Sequence, residues 1–204
     1  MEVTTYLQML REIKSCAMAT VDNQGNPRIR IIDVMLVEDE KLYFCTARGK
    51  DFYQELITQK KIAITGLNPA YQTIRLHGEV YQSANQKYWI DRIFEENPVM
   101  KEVYPGNSRY ILEPFCVEHA QLEFFDLLAT PINREYQVMG TAEKQISGYV
   151  IQGNCIDCGK CLAHCPQNCI LPQTPYKIQA EHCLHCGLCY EQCPVHAIQK
   201  GVHL

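Results

Sequence analysis

The chain has 204 residues, a formal charge of −4 and a sequence pI near 6.0, with a hydrophobic content of 47%. That length accommodates one medium domain and a small one, and the composition excludes a disordered chain. The mildly acidic balance leaves no electrostatic footprint for nucleic acid or an anionic membrane surface, and no apolar run reaches the roughly 18 residues of a membrane span. The first residues, Met1 to Leu7, carry neither a basic stretch nor an apolar core, so no export signal is expected and a cytoplasmic location is.

In chain order, Tyr6, Leu7, Leu10 and Ile13 recur at helical spacing and predict an opening helix that ends before Ser15. Residues 16–22 and 28–37 read as strands around Asp22-Asn-Gln-Gly-Asn-Pro27, a hairpin turn in composition. The acidic triplet Glu38-Asp39-Glu40 reads as a solvated turn into a strand over 41–46. Residues 50–59 and 86–96 read as helices, 61–67 and 71–82 as strands, and 109–126 as a strand broken near Pro114. Several antiparallel strands with a few helices predict the α+β class and a small β-barrel. Residues 128–146 show no periodicity and read as a connector. The expected organisation is a domain over 1–127, the connector, and a second domain over 147–204.

Cysteine is the outlier. The chain has 12, and nine of them lie between Cys155 and Cys193. Without an export signal, that density points to metal ligation rather than disulfides. Eight of the nine belong to a duplication: Cys155-Ile-Asp-Cys-Gly-Lys-Cys-Leu-Ala-His-Cys-Pro and Cys183-Leu-His-Cys-Gly-Leu-Cys-Tyr-Glu-Gln-Cys-Pro align at a constant offset of 28 residues. Each copy spells C-x₂-C-x₂-C-x₃-C-P, in which three closely spaced thiolates wrap one cluster and the fourth is carried away from it. Pairs of C-x₂-C also suit tetrahedral zinc, but the third cysteine and the Cys-Pro of both copies disfavour zinc. Over residues 147–204 the chain resembles the bacterial ferredoxins. That resemblance implies two [4Fe–4S] clusters with a crossed ligand set: Cys155, Cys158, Cys161 and Cys193 on one, Cys183, Cys186, Cys189 and Cys165 on the other.

Around these ligands, Gly159 and Gly187 are expected to let the loops bend tightly with their amides aimed at sulfur. Cys169 takes the place of Ala197 in the other copy and reads as a small buried residue rather than a ligand. His164, His182, His185, His196 and His203 also fall in this region, where solvated side chains are expected.

In the longer domain, Arg28 and Arg30 alternate on one strand and so share a face, while Arg48 and Lys50 immediately precede a helix. Cationic side chains beside a helix N-terminus make an anion site suited to a phosphate. The stretches Pro27-Arg-Ile-Arg30, Leu42-Tyr-Phe-Cys-Thr46, Lys50-Asp-Phe-Tyr-Gln-Glu-Leu56 and Thr73-Ile-Arg-Leu-His-Gly78 resemble the pyridoxamine-phosphate-oxidase-like FMN-binding split barrels over about residues 1–127. The resemblance implies FMN, with Arg30, Thr46, Arg48 and Lys50 around its phosphate. It also implies the backbone of Ile31, Ile32 and Cys45 beside the flavin, Thr73 as a weaker neighbour, and a homodimer with flavin in the cleft between subunits. Genuine pyridoxamine phosphate oxidases keep substrate-binding Arg and His residues near the chain end, which here is ferredoxin-like, so that oxidation is not expected. Related split barrels hold haem or a deazaflavin instead.

The helical run Tyr88, Trp89, Ile90, Ile93 and Phe94 reads as core or dimer packing rather than a flavin-stacking box. Cys16, Cys45 and Cys116 read as buried structural thiols. Taken together, the halves describe an oxidoreductase in which clusters exchange single electrons with an external donor or acceptor and with FMN, which acts on a small-molecule substrate. The competing classes are a non-catalytic electron carrier or redox sensor, and a flavin-free docking subunit of a redox complex. No nucleotide fingerprint supports nicotinamide as direct donor.

Overall fold

Tyr6, Leu7 and Leu10 form the buried stripe of the first helix, α1 (Val3–Ile13), as their spacing requires. The computed structural model describes residues 1–145 and 147–202, so His203 lies outside the described residues. After α1 come β1 (Ser15–Val21), β2 (Pro27–Asp33), β3 (Leu36–Glu38), β4 (Lys41–Ala47), α2 (Asp51–Gln59), β5 (Lys61–Leu67) and β6 (Gln72–Gln82). They are followed by α3 (Gln86–Glu96), α4 (Met100–Val103), a 3₁₀ turn (Gly106–Ile111), β7 (Leu112–Asp126) and β8 (Asn133–Met139). The strands form one curled antiparallel half-barrel in the order β2-β1-β5-β6-β7-β4-β3, with β8 on β7.

Alternation decides which face is buried. In β1, Cys16, Met18 and Thr20 are buried between less buried neighbours; in β5, Ile62 and Ile64 are buried between exposed ones. Phe44 of β4, Phe52 of α2 and Phe115 of β7 stack with ring centroids 5.8–5.9 Å apart, joining the helix to the sheet. Ile90, Ile93 and Phe94 are buried with Cys45 and Met35, and Trp89 stacks on Tyr43 at 4.3 Å, so these four are core packing, while Tyr88 at the start of the run is exposed.

Two expectations change. The strand does not break at Pro114, because β7 runs through it without interruption. The Pro114 carbonyl accepts from the Ser83 amide just beyond the end of β6. A residue's N–H and C=O point the same way in a strand, so the missing N–H faces the end of β6 and costs no bond to β4. Likewise, residues 128–146 are not irregular throughout, since they carry β8. Its alternation is masked in the sequence because most of its side chains are only half-buried.

The chain divides into two units, Met1–Glu123 with Gln137–Glu143 and Phe124–Tyr136 with Lys144–Leu204, the boundary falling within β7 and β8. The second unit contains β9 (Ser147–Ile151), α5 (Lys160–His164), β10 (Ile170–Leu171), β11 (Lys177–Ile178), a 3₁₀ turn (Ala180–His182), α6 (Leu188–Glu191) and β12 (Ile198–Val202). β9 and β12 pair antiparallel from Ser147–Val202 to Ile151–Ile198, and β10 pairs with β11. Its core is small: Ile170, Ile178 and Ile198 are buried together with Cys161, Cys169, Cys183 and Cys189. Sulfur thus takes much of the space that aliphatic side chains fill elsewhere.

Candidate functional site

The two copies of the cysteine motif fold alike. Gly159 and Gly187 precede α5 and α6 with φ of +75° and +84°, a left-handed turn that glycine adopts without cost. Each turn throws the next cysteine, Cys161 or Cys189, inward, where both are buried.

Cys155, Cys158, Cys161 and Cys193 line one small cavity, bordered by Ile151, Tyr176 and Ala197. Cys165, Cys183, Cys186 and Cys189 line another, bordered by Tyr149, Ile178 and Cys169. In each, three cysteines of one copy meet the fourth of the other. Among the described residues no three His, Cys, Asp or Glu side chains converge on a point. The quartets ring cavities instead, and a cubane cluster spreads its ligands over four corners. Backbone amides reach ligand-type sulfurs: Ala197 N–H donates to Cys193 Sγ at 3.2 Å and His185 N–H to Cys183 Sγ at 3.3 Å. The donor set and its amides fit iron–sulfur clusters.

Cys169 lies beside the second quartet, its Sγ 3.5 Å from Cys165 Sγ. The neighbouring Cys183 thiol, then burial and Cys165, hold its pKa far above the ordinary thiol value. Cys169 in turn is the main cause that lowers the pKa of Cys183.

The histidines depart in part from the expectation of solvated side chains. His164 and His196 are exposed, but His182 is half-buried, with Nδ1 2.8 Å from the Ile132 carbonyl. His185 turns inward from a left-handed φ of +57°, toward Gly148, and its Nε2 is buried without a hydrogen-bond partner. Burial is the main cause lowering its pKa to about 4, helped by Arg134 and Lys200.

In the first unit, the residues expected around a phosphate meet different partners. Arg30 Nη1 donates to Thr20 Oγ1 at 2.6 Å and Nη2 to Glu55 Oε2 at 2.7 Å, with the guanidinium over the Phe52 ring at 4.4 Å. Thr20 also donates to Glu55, which is only 5% exposed. Arg28 shares that face of β2, but pairs instead with Asp22 of the preceding turn at 3.0 Å. Arg48 donates to Glu113 at 2.6 Å, and Gln82 and Gln86 donate to the same buried carboxylate. Lys50 is exposed, immediately before α2, and gives that helix no side-chain cap. Thr46 is buried with Oγ1 lacking a hydrogen-bond partner.

The backbone positions follow from register. Cys45 pairs with Pro114, whose carbonyl turns away toward Ser83. The peptide groups of Cys45 therefore point to the β3 side, past the last β3–β4 pair at Leu36–Tyr43. β2 is an edge strand, with Ile31 65% exposed and Ile32 half-buried. Thr73 sits opposite Leu67 on β6, three strands from β2 and two from β4, and is not brought to the cationic residues. An orphaned Thr46 hydroxyl, unsatisfied edge backbone and an exposed lysine at an uncapped helix start fit a phosphate-bearing flavin. The Cys45 thiol is buried in the core and pushed up to about 12, against the opposing charge of Lys50; burial likewise pushes Cys16 up to about 11 and raises Cys116. They are inert structural thiols.

Sequence reasoning missed Glu55, Thr20 and Glu113. For Glu55 the signal was present, since it shares the buried stripe of α2 with Phe52 and Leu56, where a charge needs a partner. Glu55→Ala strands the Arg30 guanidinium and the Thr20 hydroxyl. We expect it to lower stability by about 2 kcal/mol, less than a fully buried pair because Arg30 is partly exposed. Urea unfolding of the two proteins measures the difference; equal midpoints would show that the trio is not coupled.

The half-barrel and the paired motifs define a flavin-family split barrel followed by a ferredoxin-type module. The family described as pyridoxamine 5'-phosphate oxidase matches residues 4–106, and the 4Fe-4S dicluster domain matches residues 154–197. The chain belongs to the pyridoxamine 5'-phosphate oxidase family, with a 4Fe-4S dicluster domain after the barrel.

Among solved structures, a NimC/NimA family protein from Clostridium acetobutylicum is similar at 21% identity, covering 66% of this chain and 93% of that one, with a TM-score of 0.56. General stress protein 26 from Bacillus anthracis str. Sterne is similar at 12% identity, over 68% of this chain and 100% of that one, with a TM-score of 0.52. A heme binding protein from Mycobacterium smegmatis is similar at 10% identity, over 72% and 63% of the two chains, with a TM-score of 0.54. At these identities the likeness is one of fold. No curated protein matches the chain. Among the described residues no helix is long and apolar enough to cross a membrane.

Proposed function

We propose that the chain is an FMN-dependent oxidoreductase that passes electrons between two [4Fe–4S] clusters and a barrel-bound FMN, and that it acts on a small-molecule substrate. The observation that carries this reading is the pair of crossed cysteine quartets, each ringing its own cavity, on a chain whose barrel belongs to a flavin family. Bound together, the clusters supply one-electron steps and the flavin one- or two-electron steps.

The chain's own residues divide the work of holding these groups. Cys155, Cys158, Cys161 and Cys193 would hold one cluster, and Cys183, Cys186, Cys189 and Cys165 the other. Arg48 and Lys50 would hold the phosphate against the open amides of the first turn of α2. Thr46 Oγ1 would gain the partner it lacks. Glu55 and Thr20 keep the Arg30 guanidinium oriented, so its remaining donors need little ordering when an anion arrives. Ile31, Ile32 and Cys45 would offer peptide groups to the ring. Thr73 would stay peripheral.

A second copy of the chain fits the outer face of the sheet. There Ile31, Ala17 and Thr65 lie in one row across three strands, and Ile29, Ala19 and Ala63 in the next. Ile29 is 73% exposed, an apolar surface that a homodimer would cover. Twelve cysteines without a disulfide fit a reducing, cytoplasmic setting.

The test is anaerobic purification of the parent and Lys50→Ala, with iron, sulfide and flavin measured on one sample. We expect about eight irons and one FMN per parent chain, and loss of most flavin with unchanged iron in the variant. Iron without flavin in the parent sinks the flavin assignment. Equal flavin in both proteins removes Lys50 from the site.

A further inference from the structure

The geometry points to Cys169 as the residue that makes the two clusters unequal: its thiol donates a hydrogen bond to a ligand sulfur of the second cluster and raises that cluster's reduction potential above the first. This rests on the reading that each quartet holds a cluster.

The duplication supplies an internal control. Four residues after Cys193 stands Ala197, which borders the first cavity; four residues after Cys165 stands Cys169, which borders the second. Both are buried, at 1% and 2% exposure. The two places differ by one sulfur, and that sulfur lies 3.5 Å from Cys165 Sγ, within hydrogen-bonding distance for a thiol. Cys165 is the ligand donated across from the other copy. With Cys165 bound to iron as thiolate, Cys169 is the only one of the pair able to donate.

A donor on a ligand sulfur withdraws electron density from the cluster. It therefore favours the reduced form, which carries one more negative charge. A carboxylate does the opposite, and the first quartet has one: Asp157 Oδ1 is 3.5 Å from Cys155 Sγ, at the position His185 occupies in the other copy. Both differences push in one direction. Within the module the second cluster is the electron's resting place and the first its less stable stop.

The experiment is a redox titration, followed by electron paramagnetic resonance, of the full chain with its clusters, comparing the parent with Cys169→Ala, Cys169→Ser and Ala197→Cys. In Cys169→Ala we expect the reduced-to-oxidised ratio of one cluster to fall about tenfold at a fixed potential, ~59 mV for a one-electron couple, with the other cluster unmoved. Cys169→Ser keeps a donor and should shift less. Ala197→Cys adds a donor to the first site and should raise the lower of the two potentials. If Cys169→Ala fails to retain iron, Ala197→Cys decides the matter. Curves that superimpose on the parent, or equal shifts of both clusters, overturn the role of Cys169. A parent without two cluster signals fails at an earlier step, and removes the cluster reading along with this one.

Discussion

Cys193→Ser should halve the iron content, from about eight to about four per chain, while leaving one cubane spectroscopically intact. The cavity that Cys193 borders is otherwise lined by Cys155, Cys158 and Cys161, all from the first copy of the motif, although Cys193 itself ends the second. A serine hydroxyl is a poor replacement for a thiolate, so the cluster that fails is the one its own copy does not build. The stability effect should also be large. The second unit buries little aliphatic surface, and its core includes the ligand cysteines themselves, so losing a cluster removes part of what orders the chain. A double substitution identifies the survivor: Cys193→Ser with Cys158→Ser should match Cys193→Ser alone, whereas Cys193→Ser with Cys186→Ser should lose nearly all iron. The reverse pattern would mean that each copy ligates its own cluster.

Gly78→Ala should destabilise the barrel by about 3 kcal/mol or more, lowering its melting temperature by on the order of 10 °C. A Cβ at Gly78 would lie 2.2 Å from the His119 carbonyl oxygen and 2.6 Å from Ala120 Cα and Cβ. These are main-chain atoms and a methyl fixed to one, in the middle of the β7 strand, so no rotamer change relieves the overlap and two strands must part. Gly49→Ala is the control, because nothing lies within 4 Å of a Cβ there. Trp89, the one tryptophan, packs on Tyr43 of β4 and reports unfolding of this unit by fluorescence. A Gly78→Ala protein that melts with the parent would show that β6 and β7 can separate at little cost.

Much of the fold was legible because periodicity survives burial on one face. The stripe of α1, the alternation of β1 and β5, and the hairpin composition between β1 and β2 each dictate an element from local chemistry alone. Pro114 misled for a long-range reason: proline breaks a strand only where its absent N–H was needed, and that depends on which neighbour the residue faces. β8 was invisible because half-buried side chains leave no clean period. His185 was misread because a loop residue's burial depends on how the turn folds back, here by a left-handed backbone toward Gly148.

The candidate site divides along the same line. By itself the sequence determined the cysteine spacing, the duplication, and the presence of Arg30 within a strand and of Thr46, Arg48 and Lys50 between a strand's end and a helix start, since these are properties of neighbours along the chain. Only the tertiary structure decided what each meets: Glu55 and Thr20 around Arg30, Glu113 on Arg48, and a buried Thr46 hydroxyl with no partner. Those pairings join residues up to 65 positions apart. A partner's charge and distance are set by how strands and helices pack, and local sequence carries no record of that.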